Sequence, residues 1–220
     1  MGAGVAGLFA CATAKRLGSI VEAYDVRPAA REQILSVGAK PVELDLDTAA
    51  AEGKGGYAQA QGEDFLKRQR ELMTEVISRM DVVITTAAVP GAKSPILVTA
   101  DMVKAMKPGS VIVDLAAERG GNCELTKLGE TVVEHGVTII GPANVPSTVA
   151  HHASQMFGKN MENLLNLLID KEGKLNLDFD DEIVRETVVA HDGDVPHARM
   201  RQLLNLPELA APSKDDAPAS

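Results

Sequence analysis

The six residues Gly2-Ala3-Gly4-Val5-Ala6-Gly7 restrict the fold more tightly than any other stretch of the chain. Three glycines at this spacing match the fingerprint of a dinucleotide-binding turn between a strand and a helix. The first glycine permits the tight turn, and the second lets backbone approach a pyrophosphate. The third allows the helix to pack closely on the sheet. The helix start then presents free N–H groups and a positive dipole end to phosphates. Such a triplet is a weak signal alone, and a Gly-rich turn with a solvated carboxylate is the competing reading. Context strengthens it. A helical pattern over Val5–Leu17 follows, then a β-rich run over Ser19–Val26 that holds Asp25, 18 residues after Gly7. A carboxylate there accepts hydrogen bonds from ribose hydroxyls and repels a 2′-phosphate, which favours NAD over NADP. Arg27 is the counter-signal, because a nearby arginine accommodates that phosphate.

The remaining chain alternates short β-branched runs with longer helical patterns, which predicts an α/β fold: a Rossmann-like, doubly wound parallel sheet. Strands are expected at Ser19–Val26, Pro41–Leu46, Asp81–Ala87, Ser110–Ala116 and Val137–Gly141. The apolar centres Val82-Val83-Ile84 and Val111-Ile112-Val113 suit strands covered on both faces. Helices are expected at Ala29–Val37, Glu63–Met80, Thr99–Met106 and from a Ser147 cap to about Ile169. The last carries an apolar stripe of Phe157, Met161, Leu164, Leu165 and Leu168, expected to be core. Only Met1 precedes the glycine loop, so the strand that should enter it is missing from this sequence. Its neighbours would then expose ladder groups on both sides. The expected organisation is a domain over residues 1–170 and a return segment over 171–206, with hairpin-like strands and a short helix. A disordered tail over 207–220 completes it.

Charge narrows the function. Lys and Arg number 22 against 31 Asp and Glu, a formal net charge of −9 that argues against a nucleic-acid partner. No apolar run approaches the roughly 18 residues of a membrane span, so the chain is expected to be soluble without inserting into a membrane. Cys11 and Cys123 show neither a disulfide framework nor zinc-ligand spacing. His151 and His152 are adjacent and point in different directions on a helix, so no metal site is assigned. Asp178, Asp180, Asp181 and Glu182 read as a solvated turn. No nucleophile, acid–base pair or other catalytic residue is assigned.

Two further zones bear on binding. Ligands in open α/β sheets lie outside the carboxyl ends of the strands, where Thr85-Thr86-Ala87-Ala88, Asp114–Asn122 and Gly141–Ser147 fall. Their small residues allow backbone to approach a dinucleotide, with Thr86, Ala87 and Ala88 the candidate contacts. Glu118, Arg119 and Asn122 read rather as groups that order their loop. Ala49–Gly62 holds four glycines and five alanines around Tyr57, a composition that suits either a lid or a mere insertion.

The segments GAGVAGL, Tyr24–Arg27 (YDVR), Gly55–Ala58 (GGYA), Ile84–Gly91 (ITTAAVPG), Pro108–Cys123 (PGSVIVDLAAERGGNC) and Asn144–Ser147 (NVPS) occur in this order. Together they resemble the NAD(H)-binding component of proton-translocating NAD(P) transhydrogenases, in the alanine dehydrogenase/transhydrogenase family, over about residues 1–192. The resemblance implies the second of two Rossmann-like halves, the first being absent here. It implies nucleotide contacts at Val5 beside Ala6, at Asp25, Val26 and Arg27, and at Gly56, Gln69 and Ala88, with Tyr57 closing as a lid over NAD(H). Ala88 departs from the leucine of many relatives. Implied partners are an NADP(H)-binding subunit, a membrane-spanning subunit that moves protons, and a second copy in a homodimer. The complex would place this chain peripherally, on the cytoplasmic side of the cell membrane. Two other readings remain: a soluble NAD-dependent oxidoreductase like alanine dehydrogenase, and a non-catalytic NAD-binding regulatory module.

Overall fold

The structure, a computed structural model, describes residues 1–45, 62–89 and 91–209, without the side chain of Glu63. The chain divides into two compact units, Met1–Thr148 and Val149–Ser220.

The first unit is the α/β part. Its elements in order are α1 (Val5–Arg16), β1 (Glu22–Ala23), α2 (Ala30–Ser36), β2 (Lys40–Pro41), α3 (Glu63–Ser78), β3 (Val82–Thr85), α4 (Ala100–Ala105), β4 (Val111–Asp114), β5 (Thr131–Glu134) and β6 (Val137–Ile140). β1 and β2 pair in parallel, and a second sheet has the order β3-β4-β6-β5. β3, β4 and β6 are parallel, with Thr85 opposite Asp114 at the carboxyl end of the first pair. The helix patterns end where their signals say. Thr99 Oγ1 accepts from the Met102 N–H at 3.3 Å, capping α4, and Lys107-Pro108-Gly109 follows its end.

Two clusters form the core. The larger joins Met73 and Ile77 of α3 and Met102 and Val103 of α4 to Val83, Ile112 and Ile139 of the sheet. Met73, Val76, Ile77 and Met80 recur at helical spacing, which is why α3 lays this face on the sheet. Burying each such side chain contributes about 1.5–3 kcal/mol. The smaller cluster of Ala3, Ala23, Ala30, Ile34 and Ala39 brings the glycine loop close to β1 and α2. Alanine is what such an approach allows.

β5 is an addition to the sequence reading. It runs antiparallel to β6, so the sheet is parallel with one antiparallel edge strand. His135 and Gly136 join the two strands with φ of 53° and 79°, the two positive values that a tight hairpin turn requires.

The expected gap in the sheet is present and partly bridged. Met1 and Gly2 lie between β1 and β3: the Met1 ammonium donates to Ile84 O at 2.7 Å and Thr86 N–H donates to Met1 O at 2.9 Å. On the other side, Gly2 N–H donates to Tyr24 O at 2.8 Å. Below this bridge a groove of about 490 Å³ separates the strands, lined by Cys11, Ala14, Ile20, Val21, Met80 and Val82.

The second unit holds α5 (Ala150–Leu168), α6 (Glu182–Thr187) and α7 (Ala198–Leu203). Three expectations change here. Ser147 does not cap α5; its hydroxyl donates to Asn144 O at 2.7 Å within a 3₁₀ turn over Val145–Val149. The α5 stripe is not core within this unit: Phe157 and Leu165 are 65% and 54% exposed, and Val184 alone is buried among the described residues of this unit. Too few apolar partners are present in the unit to cover the stripe. The return segment is less of a hairpin than expected. The Asp192-Gly193 turn is closed by a bridge between His191 and Asp194, and Ile169 bridges Leu175. Glu186 and Thr187, inside the segment expected to be hairpin-like, belong to α6, because Asp181 accepts from the Ile183 and Val184 N–H groups and starts a helix there.

Candidate functional site

The glycine loop shows which of its positions demand glycine. Gly2 has φ of 90°, and a Cβ there would lie 2.8 Å from Ala87 N and 2.8 Å from Thr86 Oγ1. A Cβ on Gly7 would collide with the Gly2 carbonyl oxygen, so the first turn of α1 closes on the loop only without a side chain. A Cβ on Gly4 would meet nothing within 4 Å. That side of the loop is open, as backbone must be to receive a pyrophosphate. Gly4 also begins α1 with no side-chain cap, so no capping side chain takes its first N–H groups, and Val5 is 79% exposed beside them.

Asp25 stands two residues past the end of β1. Its carboxylate accepts from Ala3 N–H of the glycine loop at 2.7 Å and from Arg27 N–H at 2.9 Å. The Arg27 guanidinium adds a bidentate pair at 2.9 and 2.9 Å. The two side chains are 6% and 15% exposed. Burial pushes the Asp25 carboxyl up, but the Arg27 and Ala3 hydrogen bonds outweigh it and hold the group below the usual carboxylate range. Arg27 is thus engaged with Asp25 rather than turned outward alone, and Val26 between them is half-buried.

Next to Asp25, Tyr24 points inward. Its hydroxyl accepts from Gln69 Nε2 at 2.7 Å, and burial raises the phenol's pKa. Gln69, on α3, is 3% exposed, yet its Oε1 has no hydrogen-bond partner among the described residues. A buried amide oxygen without a partner costs about 1–3 kcal/mol, and a ligand hydroxyl or amide would relieve it. The third wall is the end of β3. Thr86 Oγ1 donates to Gly2 O at 2.8 Å, which ties this strand end to the glycine loop. Ala87 and Ala88 follow, both half-buried.

The structure therefore brings together Gly2, Gly4, Val5, Ala6 and Gly7 with Asp25, Val26 and Arg27 on one side, and Thr86 and Ala87 on the other. Gln69 joins through Tyr24, and Ala88 continues the strand end. Gly56 and Tyr57 lie outside the described residues. Glycines where a Cβ would clash, an open loop face, a fixed carboxylate and an orphaned amide oxygen are features that suit a dinucleotide.

Sequence reasoning did not find the Tyr24–Gln69 pair, and it undervalued Asp114 and Asn122. Both are fully buried. Asp114 accepts from Thr85 Oγ1, Ala116 N–H, Asn122 N–H, Cys123 N–H and Thr126 Oγ1. The signal that could have found them was an Asp closing an apolar strand and an Asn after two glycines. Asn122 orders its loop as the sequence suggests. Glu118 accepts from Asn144 N–H at 3.2 Å, so it too serves loop order.

Comparison with known proteins places this geometry. The family model described as alanine dehydrogenase/PNT, C-terminal domain, matches residues 1–198. The chain is 50% identical over 198 residues to the first part of NAD(P) transhydrogenase subunit alpha of Rhodospirillum rubrum, covering 89% of this chain and 52% of that protein. It is 46% identical over 204 residues to NAD(P) transhydrogenase subunit alpha of Haemophilus influenzae, covering 91% and 40%. The crystal structure of a transhydrogenase from Sinorhizobium meliloti superimposes with a TM-score of 0.70 at 44% identity, over 89% of this chain and 51% of that one. The chain thus spans about half the length, or less, of the relatives it matches. With its glycine loop, its Asp25 and its parallel sheet, the chain belongs to the alanine dehydrogenase/PNT C-terminal domain family.

Proposed function

We propose that this chain is the NAD(H)-binding part of a proton-translocating NAD(P) transhydrogenase. It passes hydride between its own NAD(H) and NADP(H) held on a partner subunit, while protons move through a membrane-spanning component. The observation that carries the reading is Asp25, buried, held below the usual carboxylate range and fixed to the glycine loop by the Ala3 N–H. A carboxylate at this place is the ribose acceptor of the dinucleotide fingerprint. Here the Ala3 and Arg27 donors fill its acceptor positions, so the Arg27 guanidinium has to give way for ribose hydroxyls to bind. The 50% and 46% identities to transhydrogenase alpha subunits support the reaction class over that of alanine dehydrogenase.

Bound NAD(H) supplies or accepts the hydride at its nicotinamide. The protein's part is to hold, orient and exclude water, because transfer between two nicotinamides needs no nucleophile and no acid–base pair. Gly2, Gly4, Val5, Ala6 and Gly7 receive the pyrophosphate. Asp25 would take the ribose hydroxyls in exchange for its hydrogen bonds from the Arg27 guanidinium, with Val26 and Arg27 beside it. Gln69 offers its unpartnered Oε1, and Thr86, Ala87 and Ala88 form a wall of small side chains. Gly56 and Tyr57 are assigned to a segment that closes over the nucleotide.

In the cell this chain is assigned to the cytoplasmic side of the membrane, as a peripheral homodimer on its membrane partner. No helix among the described residues is long and apolar enough to cross a membrane. Titrating the intact subunit with NADH and with NADPH, followed by nicotinamide fluorescence, tests the cofactor. NADH should bind at least tenfold more tightly, and Asp25→Ala should lose most of that preference. Equal affinity for both nucleotides in the native protein would refute the assignment.

A further inference from the structure

Past the last ladder bond of β3, the chain is held by a side chain instead of a strand. Leu115 N–H donates to Thr85 O at 2.9 Å, and the β3–β4 pairing ends there. Ala87, two residues on, has both its backbone groups taken by the carboxamide of Asn122: Ala87 N–H donates to Asn122 Oδ1 at 3.0 Å and Asn122 Nδ2 donates to Ala87 O at 2.9 Å. The second Nδ2 proton goes to Pro95 O at 2.8 Å. Asn122 makes every side-chain hydrogen bond of which the donors and the near lone pair are capable, and none of its surface is exposed.

The clamp is itself held. Asn122 N–H donates to Asp114 at 2.8 Å, and its carbonyl accepts from Leu97 and Val98 N–H at 2.8 and 2.9 Å. Asp114 also takes Thr85 Oγ1, so the strand residue that starts the approach and the residue that ends it are tied to one carboxyl. Gly121 has φ of 78°, and a Cβ there would lie 2.9 Å from Asp114 Oδ2, so the Gly-Asn step exists to close around this group. Ala87 meanwhile has the glycine loop on its other side, since its nitrogen is one of the atoms a Cβ on Gly2 would strike.

We propose that Asn122 is a positioning residue for the bound dinucleotide, fixing Ala87 so that the end of β3 forms a wall at a set distance from the glycine loop. The proposal rests on the NAD(H)-binding reading above. Because Asn122 takes both Ala87 backbone groups, this wall meets a ligand through its small side chains, and its place is set by a residue that touches no ligand. Freed from the clamp, the Ala87 peptide turns its polar groups to solvent and the wall moves. Displacement by about 1 Å is enough to cost a hundredfold in a reaction that relies on orientation.

The test uses the intact subunit with NADH as the probe. Asn122→Ala is compared with Met102→Ala, a core truncation in α4 that lowers the unfolding temperature but removes none of these hydrogen bonds. Asn122→Asp, which keeps the size but sets an oxygen against two carbonyls, is read in the same way if the alanine variant does not fold. The expected result is NADH binding weakened tenfold or more in the Asn122 variant and less than twofold in Met102→Ala. Faster hydrogen exchange at the Ala87 N–H should accompany it. Equal weakening in both variants, or native affinity with an exchanging Ala87 amide, overturns the positioning role. Failure of the native subunit to bind NADH overturns the binding reading, and the positioning role with it.

Discussion

At the scale of single residues, the site is set by groups that leave little choice of replacement. Gly7→Ala puts a methyl into the Gly2 carbonyl. Overpacking of this kind costs about 1–3 kcal/mol, and here the backbone that gives way is the glycine loop. The variant should therefore lose NADH affinity well beyond its fall in unfolding temperature, read by titration and thermal melt on the same sample. Gly4→Ala should melt as the native chain does, because its Cβ meets nothing, yet weaken NADH binding by filling the open face. Asp25 adds a pH dependence. Its folded pKa lies below the usual value, since the Arg27 and Ala3 hydrogen bonds outweigh the opposing effect of burial. Its stabilising contribution is fully present above the unfolded pKa of about 3.9 and is lost as pH falls through the lower folded value. Acid unfolding followed by circular dichroism should accordingly be less steep below about pH 4 in Asp25→Asn than in the native chain.

At the scale of elements, the hairpin between β5 and β6 and the cap on α4 show how local rules decide. Gly136 has φ of 79°, and a Cβ there would stand 3.0 Å from Pro108 Cβ. Gly136→Ala should lower stability by about 1–2 kcal/mol for the left-handed backbone, with more for the contact, as read by denaturant unfolding. Thr99→Ala, which removes an oxygen from the Met102 N–H, should cost about 0.5–2 kcal/mol in the same assay. Elements with strong local signals were legible in the sequence: α3 from its apolar spacing, β3 and β4 from continuous β-branched runs, α4 from Thr99 and Pro108. The hairpin was legible in principle, since Thr131–Glu134 and Val137–Ile140 flank a His-Gly pair, but His is a less telling turn residue than Asn or Asp. Strand lengths were overestimated: β1 is Glu22–Ala23 within the β-rich run Ser19–Val26, and β4 is Val111–Asp114 within Ser110–Ala116. Asn122 and Gln69 were not readable as partners of Ala87 and Tyr24, 35 and 45 residues away. A buried polar side chain takes its meaning from the segments that packing brings to it, and spacing along the chain does not carry that. The glycine loop and Asp25 were readable because each requirement is local: a turn, a close approach, and a strand end one helix later.

At the scale of the whole molecule, the sheet is divided between β1 and β3, and the chain covers about half of its R. rubrum relative. On the proposed function, this Rossmann-like half would offer the pyrophosphate loop and the ribose acceptor, and orientation of the nicotinamide toward a second nucleotide would belong to the complete assembly. The intact alpha subunit, mixed with its NADP-binding partner, is where the central claim meets its most direct test. Given NADPH deuterated at the transferred position and an oxidised NAD analogue, the pair should reduce the analogue with the deuterium retained, at a rate that Asp25→Ala lowers. Absence of reduction, or reduction with the deuterium replaced by solvent hydrogen, would contradict direct hydride transfer through this site.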